Sequence, residues 1–551
     1  MSPSEPYIYD FIIVGGGNSG AVVAGNIARS QQRPRVLVIE EGGDNKRADL
    51  RVASERFVNP YVNPEIGTWY KTTPQKHLEG RSLDYLRGRG LGGSSIANYQ
   101  AYIRGSASDY NEWAARVGDD FFAWHNAVAR YKELENLHFE DDGDKDHFVQ
   151  LKEAVHGFEG PLDISIQPKK RWHFGMDKNM QAAIEFGWPV CRDQNSGDPI
   201  GVGVVTTTSY RGYRTTSGSA YLFDVPSNLD VWCHTTAAKI LFEPQSSGNP
   251  KAVGLQLANG RIVQARKEVI LSAGAIDTPK LLLLSGVGPR KELNRLNIEC
   301  LVHHPDVGKK LTDHLWMDLK WSVSPELSDV AAVLGDRVKA KATRQEWLRS
   351  QTGPDATQNG TNLVGFLKFN PDRANLDELE KLPDQAKNWI KRPDVPQIEI
   401  FLAGLCPPEW QLIRDGEFYG VTIMLMNPQS RGEVTLASKD PAANPTIDPG
   451  YLSHPYDRQT IINGVRESLA YIRSTFLSKY VQREVHVPKS DTDEQILDFC
   501  KENLQSVLHG CGTVRMGHEK DPMACLDTHF RVRGVDNLRV VDLSATPLIT
   551  R

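Results

Sequence analysis

Three groups of residues have types and spacing suited to chemistry. Gly15, Gly17 and Gly20 form a Gly-x-Gly-x-x-Gly run, and Glu40 lies twenty residues beyond its last glycine. In such a run the first glycine permits a tight turn, the second lets backbone approach a pyrophosphate, and the third lets helix and strand pack closely. A carboxylate at Glu40 can accept from both hydroxyls of a ribose. The second group is Gly88, Gly90, Gly92 and Gly93, followed by Ser94 and Asn98. This loop could lie against a planar ring with its N–H groups turned inward, while Ser94 and Asn98 offer short polar side chains to a pyrophosphate and a ring edge. The third is His509, set in the Gly- and Thr-rich run Leu508-His509-Gly510-Cys511-Gly512-Thr513. An imidazole with an ordinary pKa near ~6.5 can accept a proton at neutral pH. His314 and His518 have no such surroundings and read as ordinary surface or core histidines.

The elements that must position these groups are legible mainly at the start of the chain. Residues 11–14 read as an apolar strand, 20–29 as an amphipathic helix and 36–39 as a second strand, which together make one βαβ unit with the glycine turn at its first crossover. Strand, turn, helix and acid agree, so a dinucleotide site is expected, although the fingerprint does not separate NAD from FAD. Residues 42–85 read as polar and irregular. Residues 230–275 read as several strands, among them 252–255 and 268–271, and 537–542 as a last core strand. Helices are expected over 338–349 and 377–390. The region 318–430 carries few motifs, and its loops at 324–336 and 350–362 suit a variable cover over a substrate.

Composition narrows the function classes. The 551 residues are 40% hydrophobic and 24% charged, which is ordinary for a globular protein too long for one simple core. A net charge of −5 without a Lys/Arg block gives no field for nucleic acid. No apolar run approaches a membrane span, and the first ten residues lack a signal-peptide pattern. Seven cysteines, odd in number and with no CxxC spacing, suit free thiols in a reducing compartment, so a cytoplasmic enzyme is expected. The sequon at Asn359 would matter only in a secreted protein. No Ser/His/Asp triad, P-loop or metal-ligand spacing competes with His509, and no metal is expected.

Longer stretches carry a resemblance. Gly88-Arg89-Gly90-Leu91-Gly92-Gly93-Ser94-Ser95-Ile96-Ala97-Asn98 resembles the first signature of the glucose–methanol–choline (GMC) oxidoreductases, and residues 274–289 resemble the second throughout. Residues 509–517 resemble the block that carries the family's active-site histidine. Weaker echoes are Trp69 with Pro74-Gln75, Asp306-Val307-Gly308 with Asp313-His314, and Ser430-Arg431-Gly432. The resemblance implies an α/β fold, with a Rossmann-like FAD-binding domain and a second α+β substrate-binding domain, discontinuous in sequence. Residues 1–317 would hold most of the FAD domain, with substrate-domain insertions near 46–84 and 160–225. Residues 318–500 would be mainly substrate-binding, and 501–551 would return to the FAD domain. It also implies FAD contacts from Asn18, Ser19, Glu40, Ser94, Asn98, Tyr99 and Ala101, and main-chain contacts from Ala237 and Leu543. The block at 274–289 reads as packing beneath the cofactor.

The implied activity is oxidation of a small-molecule alcohol by hydride transfer to flavin, with His509 as general base and O2 or another compound as electron acceptor. Its rate would rise through a pKa near neutrality. Some family members tether flavin through a histidine immediately before the asparagine of the first signature. Ala97 stands there, so FAD is expected to bind non-covalently. The family's second catalytic residue, His or Asn, falls beyond Arg551, which reads as truncation. A flavin-retaining lyase or cyclase and an inactive form are the alternatives.

Overall fold

The computed structural model describes residues 7–54, 59–140, 143, 148–169, 172, 174–246, 248–327, 337–351, 363–402 and 418–550. Asn359 and Cys406, with most of the two loops expected at 324–336 and 350–362, lie outside them.

The first βαβ unit is present as the strand Tyr7–Val14, the helix Asn18–Arg29 and the strand Val36–Ile39. Val36 to Ile39 are all buried, as suits a strand covered on both faces. The unit seeds a seven-stranded sheet ordered Leu229–Trp232, Val36–Ile39, Tyr7–Val14, Ile262–Leu271, Lys251–Leu257, Ala237–Glu243. Leu538–Val540, from the far end of the chain, pairs in parallel with Val269 to Leu271. That last strand docks where Ile262–Leu271 leaves its antiparallel neighbour, so the C-terminal region is held on the sheet that begins at residue 7.

A second sheet of six strands is antiparallel throughout, in the order Leu363–Leu367, Ile398–Leu402, Phe418–Leu425, Leu315–Val323, Val481–His486, with Gln505–Ser506 beside the start of Leu315–Val323. Met317, Leu319, Trp321 and Val323 alternate into one core with the helix Pro455–Ser474. On the opposite face Trp316, Phe366, Phe401 and Met424 join Tyr99, Ala101, Met426 and Val507 in a smaller apolar cluster. The chain therefore has the mixed α/β fold expected, with an N-terminal FAD-binding domain and a C-terminal domain.

Three expectations change. The helix expected over 377–390 is two, Asp377–Glu380 and Asp384–Ile390, because the residue before Pro383 is pushed out of helical conformation. The stretch read as irregular contains a hairpin, Gly67–Lys71 against Asp84–Gly88, whose short strands alternate too little to announce themselves. The motif-poor region is more than a cover, because it supplies Leu363–Leu367, Ile398–Leu402 and Phe418–Leu425 to the second sheet.

Candidate active site

The glycine turn is sterically obligatory. Gly15 sits at φ +100°, and a Cβ there would lie 2.4 Å from the Ser272 carbonyl oxygen; a Cβ on Gly20 would lie 1.9 Å from that of Gly15. Gly17 caps the following helix and brings no side chain to its first-turn N–H groups. A Cβ on Gly17 would meet nothing closer than the Gly93 Cα at 3.6 Å, which leaves the backbone open to a close-approaching phosphate. Asn18 is exposed and Ser19 half-buried at this helix start.

The two glycine runs are bolted together by Glu40. Its carboxylate is buried and accepts from the N–H groups of Gly16 (2.8 Å), Gly42 (2.8 Å) and Gly90 (2.9 Å). Two carboxylate oxygens offer about four lone-pair directions, so one remains for a ribose hydroxyl.

The second glycine loop departs from its expected role. Gly88 N–H donates to Ser94 Oγ, Gly90 to Glu40, Gly92 to the Gly16 carbonyl and Gly93 to the Gly90 carbonyl. These amides fasten the loop to the first turn and to itself instead of pointing inward at a ring. Asn18 Oδ1 adds a further tie, accepting from Ser95 N–H.

Asn98 is organised by a residue that sequence reasoning missed. Arg214 is completely buried, and its guanidinium donates to the Ser95 carbonyl, the Asn98 carbonyl and Asn98 Oδ1. No motif surrounds Arg214, and only the fold brings it across 116 residues to Asn98. Tyr99 packs edge-on against Phe401, centroids 5.3 Å apart, and with Ala101 belongs to the apolar cluster on the second sheet. Ala237 opens the edge strand of the first sheet. Leu543 is 47% exposed, just past the last strand, and its carbonyl accepts from Gly512 N–H. Val514 and Met516 N–H donate likewise to Ser544 and Ala545, so the histidine block runs alongside the chain's last strand turn.

His509 is accessible within this arrangement and closely supported. Its N–H donates to Asp313 Oδ1 (2.7 Å), and Asp313 also accepts from the Ser506 and Tyr451 hydroxyls at 2.5 Å. Burial raises the Asp313 pKa, against which these hydrogen bonds pull. The preceding Leu508 has φ +68°, a left-handed conformation that costs a branched residue about 1–2 kcal/mol. Arg87, one residue before the second glycine loop, donates to the Leu508 carbonyl, and the Leu508 N–H donates to Ser506 Oγ. These contacts hold the bend that presents the ring. Gly510 is required too, since a Cβ there would lie 2.1 Å from the Tyr85 hydroxyl.

His314, read from sequence as unremarkable, is buried and lies 3.1 Å from His509, Nδ1 to Nδ1. Surrounding protein, and then the Arg87 guanidinium, lower the His509 pKa below the ordinary imidazole value. The His509 imidazole is thus neutral at physiological pH, and its titration moves to the acid side of the near-neutral value expected from sequence.

Comparison with known proteins gives a consistent picture. The two family profiles described as GMC oxidoreductase match residues 9–316 and 428–551. An alcohol dehydrogenase [acceptor] of Pseudomonas putida is 32% identical, covering 98% of this chain and 92% of its own length. An oxygen-dependent choline dehydrogenase of Rhizobium meliloti is 30% identical over 98% of this chain and 92% of its own. A crystal structure of formate oxidase superposes with a TM-score of 0.87 at 25% identity, over 99% of this chain and 95% of that one. A variant of the Aspergillus oryzae formate oxidase, 26% identical over 99% of this chain and 95% of that one, with a TM-score of 0.86, is described in terms of FAD modification.

Proposed function

Because the chain belongs to the GMC oxidoreductase family, whose members act on CH–OH donors, we propose that it oxidises an alcohol with His509 as the base. The observation that carries this reading is the isolation of His509 Nε2. Among the described residues it makes no hydrogen bond, on a ring whose other nitrogen and main chain are both held.

The chain's features fit FAD. The uncapped helix start, the open Cα of Gly17 and the remaining lone pair of Glu40 suit a pyrophosphate and ribose. Asn18, Ser19, Ser94, Asn98, Tyr99, Ala101, Ala237 and Leu543 complete the proposed contacts. Ala97, buried and without a nucleophile, supports non-covalent binding. Bound FAD supplies the acceptor for the hydride that leaves the alcohol carbon. His509 Nε2 takes the hydroxyl proton as that hydride departs, so the alcohol becomes a carbonyl compound and the base an imidazolium. The cluster of Tyr99, Trp316, Phe401, Met424, Met426 and Val507 flanks the two histidines and supports an apolar wall for the carbon skeleton. We assign residues 1–317 chiefly to the cofactor domain, with insertions near 46–84 and 160–225, 318–500 chiefly to the substrate domain and 501–551 to the return. The second-sheet strands Leu363–Leu367, Ile398–Leu402, Phe418–Leu425 and Val481–His486 support this division, while Leu315–Val323 straddles its first boundary and Gln505–Ser506 lies just past its second.

The test is anaerobic mixing with a panel of alcohols. Bleaching of the flavin absorbance is expected with a substrate, and His509→Ala should slow that reduction about 10²–10⁴-fold while keeping flavin content. A variant with wild-type reduction rates would end the assignment of His509.

A further inference from the structure

The contact between the two histidine rings specifies which nitrogen of His509 carries its proton. His314 Nε2 lies 2.9 Å from the Met426 carbonyl oxygen. A carbonyl only accepts, so His314 must carry its proton on Nε2. Burial, and then the neighbouring His509, hold the His314 pKa well below the ordinary value, so it stays neutral and its Nδ1 is a bare lone pair. That lone pair faces His509 Nδ1 at 3.1 Å. Two bare nitrogens would repel, so His509 Nδ1 must be the donor. The bare nitrogen of His509 is then Nε2, the one without a partner among the described residues.

We propose that His314 is the positioning residue of the reaction: it selects the Nδ1–H tautomer of His509 through the Met426-carbonyl–His314–His509 chain and so creates the base at Nε2. This inference rests on the assignment of His509 as the base. As Nε2 takes the alcohol proton, positive charge spreads to Nδ1–H, and the hydrogen bond to His314 becomes charge-assisted. His314 therefore favours the protonated form that develops during the step, as the orienting member of a catalytic triad does with a carboxylate. A neutral imidazole suits this site because Asp313 is committed to the His509 main chain and the Ser506 and Tyr451 hydroxyls. Besides His314, the charged group that acts on the ring is Arg87, which opposes its protonation.

The geometry is enforced by main chain. Val507 N–H donates to the His314 carbonyl at 2.9 Å, and Leu315 and Trp316 pair with Ser506 and Gln505. Asp313-His314 thus grips backbone and ring of the same histidine at once.

Two variants separate positioning from packing. His314→Leu fills similar space without an acceptor. His314→Asn keeps an amide oxygen near the place of Nδ1. The reading is taken on holoenzyme labelled with 15N-histidine, with His509→Ala identifying the resonances, together with anaerobic flavin reduction by rapid pH jump from about pH 3 to 9, which spans the lowered His509 pKa of about 4. Wild type and His314→Asn should show His509 protonated on Nδ1, with reduction rates within ~10-fold of each other. His314→Leu should lose that tautomer preference, slow reduction about 10–10³-fold at saturating alcohol, leave the substrate dissociation constant near wild type, and move the acid limb of the pH profile to lower pH. Three results would each overturn the inference: a wild-type His509 protonated on Nε2, a leucine variant with wild-type rate and limb, or an asparagine variant as impaired as the leucine one. The failures are distinguishable, because wild-type rates in His509→Ala remove the base itself, whereas the nitrogen spectrum still reads the His314 contact.

Discussion

A carboxylate expected to serve a ribose also serves as the rivet between two glycine loops. Glu40 satisfies three buried N–H groups, and removing a partner from a buried donor costs roughly 1–3 kcal/mol each. Glu40→Ala should therefore weaken FAD binding and also destabilise the flavin-free protein, visible as a lower melting temperature of the apo form. Glu40→Gln should be milder in both, because an amide oxygen still accepts. An apoprotein melting temperature untouched by Glu40→Ala would show that the loops do not depend on the rivet. The pH dependence belongs to the same scale. The His509 pKa, lowered to about 4, means the imidazole is already neutral at pH 7, so flavin reduction should be flat from neutrality down to about pH 5 and fall only as pH approaches about 4. A midpoint above pH 7 in rapid-mixing experiments would contradict that direction. Precipitating the protein with acid should leave FAD in the supernatant, as Ala97 implies; yellow pellet would mean a covalent link made elsewhere.

At the scale of elements, the His509 segment is held by strand pairing on one side and by close approach on the other. Gly510 leaves no room for a Cβ beside Tyr85, whose ring is fully buried. Gly510→Ala should lower flavin reduction by at least ~10-fold through displacement of His509, since small misplacements of a base are expensive. Adding Tyr85→Phe removes the clashing oxygen and should restore part of the rate. A double variant no better than Gly510→Ala alone would locate the damage elsewhere. Asp313-His314 stood out in the sequence only as a dipeptide of the family pattern, without a role. Its part became visible once Gln505–Ser506 was seen paired with Leu315–Val323, a contact between strands almost 200 residues apart.

At the scale of the whole molecule, one buried ionic network lies outside the chemistry described above. Arg104, Glu135 and His156 are inaccessible to solvent, with Asp193 nearly so. Burial works against a charge on His156, but its hydrogen bonds to Asp193 and Glu135 outweigh it and raise its pKa. A raised histidine pKa contributes stability that is complete below the unfolded value of ~6.5 and lost as pH climbs through the folded value. Chemical denaturation should therefore show stability falling on the alkaline side of pH 6.5 in wild type, and His156→Gln should remove that slope. The lowered pKa values of Glu135 and Asp193 act in the opposite window, losing their contribution as pH falls through the folded values. Arg104→Met should cost about 3–5 kcal/mol by leaving the buried Glu135 carboxylate without its guanidinium, although Tyr102 and His156 remain bonded to it. A cost below ~1 kcal/mol would mean solvent reaches the network.

The βαβ unit and the glycine turn were legible in the residues alone, because each depends on local rules, strand and helix periodicity and the steric demand for glycine; the candidacy of His509 came from the resemblance of its block to a family signature. The second sheet was poorly legible, since its strands lie in a region without motifs and their order is set by pairing across the chain. Arg214 and His314 were invisible as site residues for the same reason. A guanidinium or imidazole acquires a role only from what is brought against it, and here the partners Asn98 and His509 are 116 and 195 residues away. Sequence identified which residues could do chemistry; the packing of two sheets decided which ring faces which, and hence which nitrogen of His509 has no partner among the described residues.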